Sequence, residues 1–183
     1  MKITPTPLQD CLILQPQVFK DHRGYFLESF NQQVFQNDVG KPVQFVQDNE
    51  SQSQYGTVRG MHMQAGEASQ AKLVRVVKGC VKDVVIDVRP NSPTFKQQFE
   101  IELSEDNKTQ LFVPKGFLHG FSVLSEVAIF SYKCDAYYDK EAEAGVNPLD
   151  TELNIDWGIS KDDMKLSEKD EQGQSFKEFL TEL

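Results

Sequence analysis

Two of the three histidines in this 183-residue chain lie next to or near a glycine in strand-like runs, each with cationic side chains close by in sequence. His62 sits in Thr57-Val58-Arg59-Gly60-Met61-His62-Met63-Gln64, ten residues before Lys72, and His119 sits in Val113-Pro114-Lys115-Gly116-Phe117-Leu118-His119-Gly120. Imidazole exchanges protons near neutral pH, and an ammonium beside the oxygen of a forming enolate stabilises its charge. These residue types point to proton abstraction next to a carbonyl, carried out inside a small β-barrel.

The elements that must position these groups read mainly as strands. From about Gln47 to Cys134, short apolar or alternating runs are separated by Gly, Pro, Asn and Ser, as in a barrel or sandwich. Lys72 to Val77 and Val81 to Arg89 flank Lys78-Gly79, which predicts a tight hairpin because glycine tolerates positive φ. Val84, Ile86 and Val88 then share one face. Phe99 to Leu103 alternates apolar and acidic residues, and the polar turn Ser104-Glu105-Asp106-Asn107 predicts a second hairpin into Leu111-Phe112-Val113. His119, Phe121 and Val123 share one strand face and Ala128, Phe130 and Tyr132 a face of the next, with Ser125-Glu126 turning the chain between them. Period two therefore lets His119 and Tyr132 look into one cavity. Helical signals are confined to the ends. Asn31 caps a short helix through Phe35, and Phe176, Phe179, Leu180 and Leu183 fall at helical spacing.

Length favours a single domain over residues 1–183, with one sizeable core. A formal charge of -9 argues against broad nucleic-acid binding, so an anionic ligand needs a local basic pocket. Cys11, Cys80 and Cys134 are odd in number and widely spaced, which fits a reducing cytoplasm better than a disulfide framework or a zinc site. The first residues lack a signal-peptide apolar stretch, and no segment approaches membrane-spanning length.

The chain resembles the dTDP-4-dehydrorhamnose 3,5-epimerase family along nearly its whole length. The residues that carry the resemblance include Asp21-His22-Arg23-Gly24-Tyr25-Phe26-Leu27-Glu28, Gln47-Asp48-Asn49, Arg59-Gly60-Met61-His62 and the run Lys72 to Gly79. Pro114 to Phe121, Tyr132-Lys133-Cys134, Tyr137-Tyr138, Asn154-Ile155-Asp156-Trp157 and Leu166-Ser167-Glu168-Lys169-Asp170 continue it. The resemblance implies an all-β, cupin-type jelly roll with short peripheral helices. It also implies epimerisation of dTDP-4-dehydro-6-deoxy-D-glucose at C3 and C5 through an enolate, without cofactor. It casts His62 as the base, Asp170 as its orienting partner, Tyr132 as the acid on the opposite sugar face, and Lys72 as the group that holds the enolate oxygen. Arg23 and Arg59 are then expected at the diphosphate, Phe26 and Tyr138 in stacking contacts, and Glu28, Gln47, Asn49, His119 and Glu143 along the site. A homodimer taking a small dTDP-sugar, with no nucleic-acid or membrane partner, completes the expectation.

Other readings remain beside this one. A strand histidine is often a satisfied core residue, a strand lysine often snorkels to water, and an aromatic at period two often packs. Pro114 to His119 also resembles the second metal motif of cupins. The first motif fails, because His62-Met63-Gln64 lacks the paired histidines and His22 is the one spare imidazole, so no metal is expected. The nearest functional alternatives are a 3- or 5-epimerase of a related nucleotide 4-keto-6-deoxy sugar, and a non-catalytic sugar-nucleotide binding protein.

Overall fold

The computed structural model describes residues 1–40 and 42–183. Its strands are β1 (Lys2–Pro5), β2 (Leu12–Gln15), β3 (Val18–Asp21), β4 (Gly24–Leu27), β5 (Gln47–Gln54), β6 (Val58–Gln64) and β7 (Lys72–Lys78). They continue as β8 (Cys80–Asp87), β9 (Gln98–Ser104), β10 (Gln110–Val113), β11 (Phe117–Val123), β12 (Val127–Cys134) and β13 (Glu143–Gly145). The α-helices are α1 (Gln32–Val39), α2 (Glu168–Glu171) and α3 (Phe176–Thr181), and a short 3-10 turn covers Gly66–Ala68.

One sheet has six strands in the order β1-β2-β10-β7-β12-β5, the other five in the order β13-β6-β11-β8-β9, and β3 and β4 pair alone. From β5 to β13 the chain changes sheet at every connection except β8 to β9. This is the mainly β, cupin-like jelly roll, in which two sheets close over a shared interior.

That alternation corrects both hairpin expectations. β7 pairs with β10 and β12 while β8 pairs with β9 and β11, so Lys78-Gly79 is a corner between sheets and not a hairpin turn. Likewise β9 pairs with β8, whereas β10 pairs with β2 and β7. Gly79 has φ 79°, and a Cβ there would lie 2.1 Å from the Val127 carbonyl oxygen. The corner needs glycine for the same backbone reason a hairpin would, which is why the two readings share a sequence signature.

Strand faces fall as period two predicts. Val81, Val85, Phe121, Val123 and Phe130 are buried between the sheets, where Phe121 and Phe130 stack with ring centroids 4.2 Å apart. Val84, Ile86 and Val88 share the opposite face, covered by Trp157 and by Phe176 and Phe179 of α3. A third cluster, around Leu14, Phe35, Leu73 and Phe112, seats α1.

Asn31 caps α1 by accepting from the Gln33 and Val34 amides, but the helix runs on past Phe35 to Val39 and ends at Gly40. α3 begins at a capping box between Ser175 and Glu178. Phe176 and Phe179 are buried and Leu180 packs beside them, while Leu183 lies beyond the helix and is half exposed. α2 lies within a charge-rich run that has no helical period; Ser167 caps it by accepting from the Asp170 amide.

Candidate active site

Arg59 pairs with Phe121 and His62 with His119, so three residue steps on β6 oppose two on β11. This bulge lets Arg59 and His62 both face the interior although they are an odd number of residues apart. The two strands approach closely through glycine. A Cβ on Gly60 would lie 2.6 Å from the Gly120 Cα, so no larger residue fits either position without moving backbone.

The cavity so formed has a volume of about 470 Å³ and is lined by Arg59, His62, Lys72, His119, Tyr132 and Asp170, among others. An adjoining lobe of about 280 Å³ shares His62, Lys72 and Tyr132 and adds Gln47, Asn49, Tyr138 and Glu143. His62 comes from the five-stranded sheet and Lys72 and Tyr132 from the six-stranded one, so opposite walls of the barrel supply them.

His62 Nε2 lies 2.6 Å from Asp170 Oδ1, a contact between residues 108 apart in sequence. Asp170 is only 5 % exposed. Burial alone would raise its carboxyl, but its interactions with His62, Ser167 and Lys169 prevail and hold it below the usual carboxylate range. With Nε2–H donating to that carboxylate, the other ring nitrogen carries the lone pair needed to accept a proton.

Burial pushes the Lys72 ammonium down, against the opposing pull of Cys134, Asp83 and Glu143. Its Nζ stands 5.9 Å from the centre of the Tyr132 ring. Burial likewise pushes the Tyr132 phenol up. In the adjoining lobe Tyr138 donates from its hydroxyl to Glu143 Oε2 at 2.9 Å, and Lys169 Nζ lies 2.6 Å from Glu143 Oε1. Gln47 accepts from the Tyr138 amide at 3.1 Å, and Asn49 accepts from the Gln47 side chain at 3.0 Å.

His119 is buried, and its Nε2 lies 2.9 Å from Asp83 Oδ2. Asp83 was not among the expected site residues, nor was Lys169. An acid on the interior face of β8 was the available signal for Asp83, because Val81, Asp83, Val85 and Asp87 share one face of the strand and Val81 and Val85 are core residues. Lys169 lies in a charge run with no such signal.

Three expected site residues do not join the cavity in the single chain. Arg23, Phe26 and Glu28 belong to the exposed β3–β4 hairpin and the segment after it, and the Phe26 ring is 68 % exposed. Arg23 Nε donates to Asp21 at 3.0 Å, and Glu28 accepts from the Asn31 side chain at 3.2 Å. Among the described residues, no group of three or more His, Cys, Asp or Glu side chains is placed to hold a metal ion. His22 sits at the turn between β3 and β4.

The family model described as dTDP-4-dehydrorhamnose 3,5-epimerase matches residues 5–178. A dTDP-4-dehydrorhamnose 3,5-epimerase from Escherichia coli (strain K12) is 49 % identical over 172 residues, spanning 94 % of this chain and 92 % of the relative. A solved dTDP-4-dehydrorhamnose 3,5-epimerase from Elizabethkingia anophelis NUHP1 superposes with a TM-score of 0.93 at 52 % identity, covering 97 % of each chain. The dTDP-6-deoxy-D-glucose-3,5-epimerase of Legionella pneumophila Philadelphia 1, solved in complex with dTDP-4-keto-L-rhamnose, has a TM-score of 0.91 at 43 % identity. That match covers 95 % of this chain and 92 % of the other.

Proposed function

This chain belongs to the dTDP-4-dehydrorhamnose 3,5-epimerase family, and from that premise we propose a division of labour among the residues that line its cavity. The protein is an isomerase that converts dTDP-4-dehydro-6-deoxy-D-glucose to dTDP-4-dehydro-L-rhamnose by inverting C3 and C5. Both carbons flank the C4 ketone. One oxygen therefore takes the negative charge whichever proton is removed, and one cation can serve both steps.

His62 removes the proton, with Asp170 fixing its tautomer and supporting the charge it gains. The electron pair moves into the C4 oxygen, where the Lys72 ammonium holds the enolate. Tyr132 returns a proton from the opposite face, and inversion follows. The ketone is its own electron sink, so the reading needs neither metal nor organic cofactor. The observation that carries it is the His62–Asp170 contact of 2.6 Å on one wall with Lys72 and Tyr132 on the other. Arg59 and His119 meet the substrate in the same cavity. Gln47, Asn49, Tyr138 and Glu143 hold it in the adjoining lobe, with the half-exposed Tyr138 ring available to stack.

The family's site residues Arg23, Phe26 and Glu28 stand on exposed backbone away from this cavity. We place them in the site of a second copy, so that the working unit is a homodimer. Free Cys11, Cys80 and Cys134 support a reducing cytoplasm as its compartment. No described helix is long and apolar enough to cross a membrane.

Mixing tests the shared site. Arg23→Ala and His62→Ala homodimers are each expected to have little activity. Subunits exchanged between them should regain about a quarter of wild-type activity, because one site in each mixed dimer is then intact. No recovery in dimers shown to have exchanged would place Arg23 in its own subunit's site or outside the site altogether.

A further inference from the structure

The β3–β4 hairpin pairs with no other described strand, yet both of its feet meet at one residue of β10. Gln110 is the register partner of Leu14 in β2, the strand that leads into the hairpin. Its side chain reaches the other foot, where Nε2 donates to the Ser29 carbonyl oxygen at 2.8 Å. Gln110 is 1 % exposed, and among the described residues its Oε1 has no hydrogen-bond partner. A buried amide with one half unused costs stability, so the half that is used calls for a reason. Two residues earlier, Lys108 sets its Nζ 3.9 Å from the centre of the Tyr25 ring on β4. Lys108 holds φ 54°, in the left-handed region that lysine seldom adopts. Beyond Ser29 the chain rejoins the body, because Phe30 packs against Phe35 and Phe45 with ring centroids 5.9 and 5.3 Å away.

We propose that Gln110 is a positioning residue that sets the angle at which the hairpin leaves the barrel, with Lys108 as a second hold along β4. A two-stranded hairpin is marginal by itself, so its direction has to come from the body. Aim matters because the hairpin is a lever. The extended chain from Ser29 to Arg23 spans up to about 20 Å at about 3.4 Å per residue, so a tilt of about 10° at the foot moves the guanidinium by about 3–4 Å. That displacement exceeds the whole distance range of a hydrogen bond. The inference rests on the shared site proposed above, in which Arg23 and Phe26 serve a second copy, and it assigns how this chain's own barrel delivers them.

Gln110→Met keeps the bulk and removes both the donor and the orphaned acceptor, so the variant should melt close to wild type. Its KM for the dTDP-sugar should rise about 5-fold or more with kcat little changed, because the hairpin supplies binding and not the proton transfers. Mixed dimers locate the effect. When His62→Ala and Arg23→Ala subunits exchange, the live site joins the barrel of the Arg23→Ala subunit to the hairpin of the His62→Ala subunit. Gln110→Met added to the His62→Ala subunit should therefore raise KM, and added to the Arg23→Ala subunit should leave it unchanged. Damage confined to the barrel would do the reverse. KM unmoved in both arrangements, or raised whenever the Arg23→Ala subunit carries the change, overturns the proposal. If the parent mixture recovers no activity, the shared site itself fails and the aiming role falls with it. Should Gln110→Met not fold, Lys108→Met tests the same mount from outside the core. Carried by the His62→Ala subunit, it should raise KM about 2-fold or more, and Lys108→Arg, which keeps a cation over Tyr25, should restore it. A wild-type KM for Lys108→Met in that case overturns the mount.

Discussion

His62→Ala or His62→Asn is expected to abolish solvent deuterium exchange at the sugar carbons and to lower turnover by about 10²–10⁴-fold, the range a positioned general base supplies. No neighbouring group can take over. His119 is the nearest imidazole in the strand register, but its Nε2 is committed to buried Asp83, and the third imidazole lies out on the β3–β4 hairpin. Asp170→Asn should do less damage, because it removes orientation and charge support while leaving the base. The check is deuterium uptake followed by NMR on folded variants. Wild-type exchange in the His62 variants would remove His62 from the mechanism.

Tyr132→Phe is expected to separate proton removal from inversion. A single base can take a proton from one face of the enolate and return it to that same face, which exchanges hydrogen without changing configuration. Inversion needs a donor on the other side, and Tyr132 is set on the sheet opposite His62. Loss of the hydroxyl should keep the packing of its ring against Phe130, where the centroids are 6.2 Å apart. The variant should therefore retain deuterium uptake through His62 while forming inverted product at least about 10²-fold more slowly. The phenol must be protonated to act as the acid, and burial, which raises its pKa, keeps it so. Unimpaired inversion would remove Tyr132 as the acid. Loss of both signals would assign it to substrate positioning.

Much of the site was legible because strand faces repeat every two residues. Period two alone puts His119 and Tyr132 on walls that look into one space, and both line the cavity. The connections were less legible. Gly79 and the Ser104–Asn107 turn carry the local chemistry of hairpins, yet each leads into the opposite sheet; at Gly79 a corner makes the same positive-φ demand as a hairpin, and the polar residues of Ser104–Asn107 suit a turn of either kind. Partnership at long range was invisible to pattern. Asp170 reaches His62 from a four-residue helix in a charged run, and only family resemblance distinguished it from its neighbours. Lys169 and Asp83 went unassigned because each matters through a tertiary contact, with Glu143 in one case and His119 in the other. Arg23, Phe26 and Glu28 show the converse limit, since family resemblance assigns them to the site while the single chain leaves them exposed and away from its cavity.

Incubating the wild-type protein with dTDP-4-dehydro-6-deoxy-D-glucose in deuterium oxide, and reading the sugar by NMR, tests the central claim most directly. One enolate oxygen flanked by two acidic carbons predicts deuterium at both C3 and C5, with inversion at each. Binding without deuterium uptake, or uptake and inversion confined to one carbon, would contradict it.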